Sequence, residues 1–307
     1  MESNKNNFKC HFCPSCDGYG CIGELPGMGG FNENINFQKN CEGWNEIAKI
    51  LIEQGVDFSD EAKNPLPIRR LGPMTGGVEN VGYSSEKQFY LDLINFSLKE
   101  NLELSIGDGC PDEKLKYGIE AVKNQIVKEG ATFKKAAVFI KPYPNSKILE
   151  RMEWASEIAE YIGVDIDSYN IVTMRNLVQL EKKTASQLQE LKKSTHLPFV
   201  VKGIFTLEDI ELVKELKPDV AFVSNHGGRV ENRIGSTAEF LYEHSKELKN
   251  YCGEIWVDGG IRTKQDEQVA KFLGASQILL GRPVISALCE GNNLYSSGVI
   301  CKIIFQE

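Results

Sequence analysis

The sequence predicts an α/β protein folded as a (β/α)8 TIM barrel, with a Cys- and Gly-rich N-terminal extension and a short or incomplete final helix. From about residue 67 onward, short β-type runs alternate with longer amphipathic stretches, a pattern typical of a parallel sheet with connecting helices. Unusual polar and charged residues directly follow the runs, and the carboxyl ends of barrel strands meet at one mouth where active sites lie. An open doubly wound sheet is the structural alternative.

Composition limits the classes of partner. The chain has 307 residues with a net charge of −8, which gives no electrostatic reason to expect nucleic acid or an anionic membrane as a partner. It contains neither an apolar run of the ~18 residues that a membrane span needs nor a signal peptide. We therefore expect a cytoplasmic protein that binds small molecules, with its nine cysteines mostly reduced.

Eight strands and seven helices are predicted in alternation, and several of the helices begin with capping residues such as Thr206 and Thr263. The predicted strands are 68–71, 102–106, 136–140, 162–166, 199–201, 220–223, 255–257 and 277–280. The predicted helices are 85–99, 112–128, 146–160, 184–194, 206–217, 236–250 and 264–273. Residues 1–66 form the extension, with one helix near 44–54, and residues 67–307 form the barrel. The tail after Pro283 lacks the long amphipathic helix that normally completes a barrel.

A strand followed by SNHGGR carries the first candidate site. Gly227 and Gly228 allow a sharp turn, so His226 and Arg229 are expected to emerge together at the mouth. An imidazole accepts protons near neutral pH, and a guanidinium grips a carboxylate at two points. The pair therefore predicts a base beside a carboxylate clamp, which suits proton removal at or next to the α-carbon of a carboxylate.

The two following strand ends predict an anion site. VDGGIR and LLGRP each combine glycine amides with an arginine, and barrel enzymes frequently bind phosphate between the loops after strands seven and eight. Lys202 follows another apolar strand and needs a buried anionic partner, because burial of an unpaired ammonium is costly. A cofactor that develops negative charge is one such partner, and a salt bridge to Asp165 or Asp258 is the alternative.

These motifs together resemble a family. VVKGI, VSNHGGR, VDGGIR and LGRP, in this order, resemble the FMN-dependent α-hydroxy-acid oxidases and dehydrogenases, such as glycolate and lactate oxidases. The CPSCDG and PGMGG segments and VDID are similar to those of short α-hydroxy-acid oxidizing proteins. The resemblance implies FMN-dependent oxidation of a small L-2-hydroxy acid to the 2-oxo acid, with His226 as base, Asp167 as its orienting partner and Lys202 facing the N1/O2 edge of the flavin.

The resemblance also implies binding residues. FIKPY is similar to the family's third-strand segment ending in Gln-x-Tyr, with Lys141 in place of the glutamine, and LGPMTGG is similar to the turn that lies along the flavin. The implied substrate ligands are Arg229, Tyr143 and Arg175. The expected cofactor-binding residues are Pro73, Met74, Thr75, Asp108, Lys141, Asp165, Lys202, Ser224, Asp258, Gly259, Gly260, Arg262, Gly281 and Arg282.

Some alternatives stay open at this stage. An FMN-dependent isomerase of the type 2 isopentenyl diphosphate isomerase kind would share the barrel and phosphate site, and the short tail motivates a third reading, a catalytically dead or truncated flavin barrel. Cys10, Cys13, Cys16 and Cys21 suit either a zinc or iron–sulfur site or a reduced lid, and we assign no metal to the protein. The sequence identifies neither the electron acceptor nor the oligomeric state, and a homo-oligomer is one of the open outcomes.

Overall fold

The structure is a computed structural model that describes residues 34–59, 65–81, 83–125, 132–170, 178–230 and 232–290. Eight parallel strands form one sheet in the order β1-β8-β7-β6-β5-β4-β3-β2. A parallel bridge between Arg70 and Glu103 joins its two edges and closes the barrel. The strands are β1 Ile68–Leu71, β2 Leu104–Gly107, β3 Ala136–Ile140, β4 Ala159–Asp165, β5 Phe199–Ile204, β6 Val220–Val223, β7 Glu254–Val257 and β8 Gln277–Leu280.

A helix follows each strand, and one further helix precedes the barrel. The helices are α1 Ile35–Glu53, α2 Glu86–Lys99, α3 Glu113–Lys123, α4 Asn145–Ala155, α5 Ala185–Lys193, α6 Leu207–Leu216, α7 Thr237–Leu248, α8 Lys264–Phe272 and α9 Arg282–Glu290. The predicted fold class is confirmed. The final helix, α9, is short within the described part of the chain, and residues 291–307 lie outside it.

Element boundaries differ from prediction where tertiary pairing decides them. The helix predicted over 146–160 ends at Ala155, because Ala159 already pairs with Ala136 in the sheet. Likewise, β5 continues past Val201 to Ile204, which places Lys202 inside a strand. The helix predicted near 44–54 begins at Ile35, where the side chain of Asn34 accepts a hydrogen bond from the Phe37 amide at 2.9 Å.

The lower part of the barrel interior is closed by large side chains. Phe139, Phe222 and Trp256 alternate with outward-facing residues and pack edge to face, with Phe139 and Phe222 ring centroids 5.6 Å apart. Arg70 lies against Trp256 at 4.9 Å and donates to Glu160 at 2.8 Å. Because side chains alternate along a strand, the next inward-facing residue toward the carboxyl end of β5 is Lys202. The packed interior therefore ends just below the charged residues of the mouth.

Helix α1 packs against the loops at the carboxyl ends of β6 and β7. Trp44 Nε1 donates to the Gly259 carbonyl oxygen at 2.7 Å. Buried Asn40 and Asn225 exchange two amide hydrogen bonds of 2.7 and 3.0 Å, one in each direction. The N-terminal extension thus contributes directly to the shape of the mouth.

Within the described parts of the chain, no helix is both long enough and apolar enough to cross a bilayer.

Candidate active site

His226 is the centre of a compact group of charged side chains at the ends of β4, β5 and β6. Its Nδ1 atom lies 2.9 Å from Asp167 Oδ1 and 3.6 Å from Asp165 Oδ1. Lys202 Nζ lies 2.7 Å from Asp165 Oδ1 and 3.5 Å from His226 Nδ1. The sequence-predicted base, its orienting carboxylate and the buried lysine are therefore brought together.

The local chain conformation that carries His226 is unusual. His226 has a φ of 56°, and Gly227 and Gly228 follow with φ values of 65° and 91°. The Asn225 side chain accepts from the Gly228 amide at 3.0 Å, and the His226 amide donates to Ser224 Oγ at 3.2 Å. A left-handed conformation at a non-glycine residue costs free energy, so these contacts are needed to hold the imidazole in place.

Glycine 203 makes room for the orienting carboxylate. A Cβ atom at this position would lie 2.7 Å from Asp167 Cγ, and the φ of Gly203 is +104°. A larger residue in β5 would therefore push Asp167 away from the imidazole.

The electrostatics of this group favour a neutral imidazole, and burial raises the pKa of the neighbouring Asp167 carboxyl against the opposing effect of Lys202. Burial lowers the pKa of His226, and the nearby Lys202 ammonium lowers it further against the opposing effect of Asp167. Burial opposes ionisation of Asp165, but the combined effect of nearby groups, of which Lys202 is the largest, outweighs it and lowers the pKa of that carboxyl. Burial likewise disfavours the Lys202 ammonium, yet Asp165 and Asp167 raise its pKa. At neutral pH, Lys202 is charged and His226 is ready to accept a proton.

Asp258 adds a second carboxylate near Lys202, at the end of β7. Burial raises its pKa to about 6, while attraction by Lys202 and a hydrogen bond from Ser224 act in the opposite direction. Its Oδ1 atom is buried and has no hydrogen-bond partner among the described residues. A buried oxygen of this kind points to a polar ligand at the mouth.

Arg229 lies on the same loop as His226 and is partly exposed. Arg229 and Lys202 both lower the pKa of Lys141, although burial is the larger cause. The three side chains therefore lie close enough to interact electrostatically, beside the carboxyl groups of Asp165 and Asp108.

The two arginines predicted to bind a phosphate both lie near helix α1. Arg282 stacks over the Phe37 ring at 3.6 Å and donates to the Gly227 carbonyl oxygen at 3.2 Å. Arg262 is buried, with its amide donating to Asp266 at 2.8 Å. Both guanidiniums act to lower the pKa of Cys41 on α1, against the larger effect of burial.

The Gly259–Gly260 pair has a structural role that the sequence analysis missed. A Cβ atom at Gly260 would overlap the Asn40 carbonyl oxygen, and one at Gly259 would lie 2.9 Å from Asn40 Nδ2. Both glycines have positive φ, at 93° and 76°. They are therefore required for the close approach of α1, independently of any phosphate they bind.

The turn after β1 crosses the mouth between β2 and β8. A Cβ atom at Gly107 would lie 2.5 Å from the Pro73 carbonyl oxygen and 3.0 Å from Thr75 Cγ2. On the other side, a Cβ atom at Gly281 would make only an ordinary contact with Met74 Sδ at 3.5 Å. The structure thus places Pro73, Met74 and Thr75 at the rim where the sequence analysis expected the cofactor.

Two predicted residues lie in a different cluster. Asp108 forms a fully buried ion pair with Arg151 at 3.0 Å, and the Tyr143 ring stacks against the same guanidinium at 4.4 Å. Burial raises the pKa of Tyr143, whose hydroxyl has no partner among the described residues. The described contacts join both residues to α4 rather than to His226 or Arg229. Their roles as cofactor and substrate ligands stay predictions.

Other predicted residues are not described. Arg175 and the four cysteines Cys10, Cys13, Cys16 and Cys21 lie outside the described residues. Conversely, sequence reasoning missed Asn40 and Asn225 at the mouth and Arg151 in the cluster on α4. Asn225 was visible next to His226, but neither Asn40 nor Arg151 stands in a recognisable motif.

One group of residues has the geometry of a metal site. Ligand atoms of Asp165, Asp167 and His226 lie within 4.8 Å of one another. The Lys202 ammonium is already 2.7 Å from Asp165 Oδ1, so a cation is present at this position as part of the protein. The group therefore functions as an ion-pair and hydrogen-bond network.

A barrel with an imidazole, a buried lysine and an arginine at its mouth has the general arrangement of α/β-barrel enzymes, whose active sites lie at that end of the strands. Residues 127–296 match the family described as FMN-dependent dehydrogenase. The match covers more than half of the chain, so the protein belongs to that family, and FMN is its cofactor.

Individual relatives agree with this assignment. Rat 2-hydroxyacid oxidase 2 is 38% identical over 109 residues, which are 35% of this chain and 31% of that protein. Yeast L-lactate dehydrogenase (cytochrome) is 38% identical over 116 residues, 36% of this chain and 20% of that protein. The chain thus spans about a third or less of the length of these curated relatives.

Solved structures support the fold. The recombinant flavin-binding domain of baker's yeast flavocytochrome b2 superimposes with a TM-score of 0.64 at 18% identity, covering 89% of this chain and 74% of that one. A mandelate oxidase point mutant with a monooxide FMN adduct gives a TM-score of 0.54 at 22% identity, covering 76% of this chain and 70% of the other.

The residues at the mouth fit FMN. Lys202 and Lys141 provide cations at the ends of β5 and β3, and Asp258 Oδ1 provides a buried acceptor without a partner among the described residues. The loops after β7 and β8 carry Arg262 and Arg282. The rim of the mouth therefore carries both positively charged groups and hydrogen-bond acceptors. Such a rim suits a ligand that has a polar ring edge and a phosphate group.

Proposed function

We propose that this chain oxidises a small L-2-hydroxy acid to the corresponding 2-oxo acid, using FMN. The observation that carries the proposal is the 2.9 Å contact between His226 Nδ1 and Asp167 Oδ1. His226 lies on the same loop as Arg229. Membership in the FMN-dependent dehydrogenase family and similarity to 2-hydroxyacid oxidases support it.

His226 is the base in this mechanism. A carboxylate can only accept a hydrogen bond, so Nδ1 carries the ring proton and donates a hydrogen bond to Asp167. The neutral imidazole then has its lone pair on Nε2, which takes a proton from the substrate. Asp167 stabilises the imidazolium that forms, as the partner of a catalytic histidine does generally.

Arg229 binds and orients the substrate carboxylate. A guanidinium forms two parallel hydrogen bonds with a carboxylate, so it fixes the direction of the α-carbon as well as its distance. Because His226 and Arg229 belong to one loop, a bound 2-hydroxy acid would place its hydroxyl and α-carbon next to the imidazole. Bound FMN supplies the acceptor for the two electrons that leave the α-carbon.

Lys202, Asp258 and Ser224 form the polar lining of the cofactor site in this proposal, and the loops with Gly259, Gly281 and Arg282 hold the phosphate. Lys202 keeps its proton at neutral pH, since Asp165 and Asp167 raise its pKa against burial. It therefore stays protonated beside the cofactor throughout turnover.

The test is anaerobic reduction of the bound flavin. Purified protein in its yellow, oxidised form is mixed with L-lactate, glycolate and longer L-2-hydroxy acids, and loss of the oxidised-flavin absorption band is followed in a stopped-flow instrument. We expect saturable bleaching by at least one L-acid and formation of the 2-oxo acid in a one-to-one ratio with reduced flavin.

The matched controls are the D-enantiomers and isopentenyl diphosphate. A flavin that dithionite reduces but no 2-hydroxy acid bleaches would refute the proposed activity. Conversion of the diphosphate without net oxidation would identify the isomerase instead.

A further inference from the structure

The Lys202 ammonium has a dedicated counter-ion inside the barrel. Asp165 ends β4, Lys202 lies in β5, and the two residues are paired directly across the parallel strands. Side chains at paired positions project to the same face of a sheet, and Lys202 Nζ lies 2.7 Å from Asp165 Oδ1. The side chains are only 4% and 10% exposed, so water screens the pair little.

Among the described contacts, neither of the other two nearby carboxylates accepts a hydrogen bond from Lys202. Lys202 Nζ donates to Asp165, whereas Asp167 Oδ1 lies 2.9 Å from His226 Nδ1. Asp258 acts on Lys202 electrostatically and accepts a hydrogen bond from Ser224. Asp165 is thus the direct partner, and its carboxyl is ionised because Lys202 and the other nearby groups together outweigh the effect of burial on its pKa.

A lysine that is paired with a carboxylate affects a nearby cofactor differently from an unpaired lysine. A free ammonium stabilises added negative charge, whereas an ion pair at 2.7 Å is a dipole whose field falls off more steeply with distance. Because FMN gains negative charge when it is reduced, the protonated amine and its carboxylate act on the reduction potential in opposite directions.

We propose that Asp165 is a positioning residue that holds Lys202 and compensates its charge, so that it lowers the reduction potential of bound FMN. The inference rests on the placement of Lys202 beside the cofactor in the proposed function. Asp165 thereby sets how readily the flavin accepts electrons, without contacting the substrate.

A double-mutant cycle on the holoprotein tests this assignment. The variants are Asp165→Asn, Lys202→Met and the double variant, and the readout is the midpoint potential of bound FMN against a redox dye under anaerobic conditions. Asp165→Asn removes the negative charge that pairs directly with Lys202, so we expect the reduction equilibrium to shift at least tenfold toward reduced flavin, about 30 mV for a two-electron couple.

The other two variants should stay near the wild-type potential. In Lys202→Met, the buried Asp165 carboxyl is expected to take up a proton, since burial alone raises an aspartate pKa, so both charges of the pair are lost together. The double variant lacks both charges as well. We therefore expect less than a tenfold change in the equilibrium for both.

Three results would overturn the inference. The first is an unchanged midpoint potential in Asp165→Asn, and the second is an equal rise in potential when Asp165→Asn is added to Lys202→Met. The third is a fall in potential of more than about 30 mV in Lys202→Met alone. If Asp165→Asn fails to retain FMN, Asp165→Ser serves as the second replacement, and the Lys202→Met measurement still decides. Because a dye reports the potential, the cycle gives its answer even if no 2-hydroxy acid is oxidised, which would refute the proposed function alone.

Discussion

The imidazole of His226 and the carboxylate of Asp167 are held 2.9 Å apart by two different strand ends, those of β6 and β4. The contact depends on a histidine with positive φ and on a glycine in β5 that leaves space for the acid. The proposed catalytic pair is therefore a property of the assembled barrel mouth, and no single motif determines it.

Replacement of His226 by Gln should remove the base while keeping a side chain of similar size. We expect the rate of flavin reduction by the preferred 2-hydroxy acid to fall by about 10²- to 10⁴-fold, the usual contribution of general-base catalysis. Anaerobic stopped-flow spectroscopy measures the rate, and retention of FMN with unchanged reduction by dithionite is the control. A decrease of less than tenfold would show that another group takes the proton.

Asp167→Asn should change the pH dependence as well as the rate. The Asp167 carboxylate raises the pKa of His226 against burial, so its loss should lower that pKa further. The acidic limb of the kcat/KM profile is then expected to move to lower pH, because the imidazole stays unprotonated in more acidic solution. The rate at the optimum should fall by about 10²-fold as the tautomer is no longer fixed. Movement of the limb to higher pH would contradict the assignment.

Arg229→Lys tests the carboxylate clamp with the charge retained. A lysine cannot form the two parallel hydrogen bonds, so we expect KM for the 2-hydroxy acid to rise by roughly 10- to 100-fold, corresponding to about 1.4 to 3 kcal/mol. Steady-state kinetics with the acid and with its uncharged amide separate the effects. An equal loss for both substrates would point to a general distortion of the loop.

Gly260→Ala should weaken the docking of α1. The new methyl group would overlap the Asn40 carbonyl oxygen, and we expect a loss of about 1–3 kcal/mol beyond the backbone strain. Gly55→Ala is the matched control, because Gly55 also has a positive φ but has nothing within 4 Å of the added atom. Urea unfolding gives both values, and equal losses in the two variants would rule out the clash.

Asp258→Asn should stabilise the protein at neutral pH but not in acid. The pKa of Asp258 is raised to about 6 in the folded state, against 3.8 for a free side chain. The folded protein therefore holds this proton more tightly, and the carboxyl's contribution to stability falls as pH rises from about 4 to 6. The gain from the amide should reach roughly 2–3 kcal/mol above pH 6.

Thermal unfolding from pH 4 to 8 measures that gain. It should disappear toward pH 4, where the carboxyl is protonated in the folded state. A constant difference over the whole range would mean that ionisation of Asp258 has no effect on stability.

Sequence periodicity was sufficient for the barrel because short β-type runs alternate with helical stretches, and some strands, such as β3 and β6, are uninterrupted apolar runs. It placed Ile68–Leu71, Ala136–Ile140, Val220–Val223 and Gln277–Leu280 at their observed bounds. It misplaced the start of β4, since only pairing with Ala136 determines that Ala159 is extended.

The candidate site was predictable in part for a related reason. Motifs directly after strands located His226, Lys202 and Asp167, because a strand end fixes where the next side chain projects. Contacts across long chain separations were not predictable from local pattern, and these include Asn40 with Asn225 and Arg151 with Asp108. Each joins a helix surface to a loop, and nothing in the local sequence specifies the partner.

The fit of Asn40 and Trp44 onto two bare glycines means that these segments are expected to vary together during evolution. A homologue with alanine after the β7 aspartate would need a differently shaped first helix, so exchange of that helix alone between relatives should give poorly folding hybrids. Chimeras that transfer the helix together with both facing loops should fold normally.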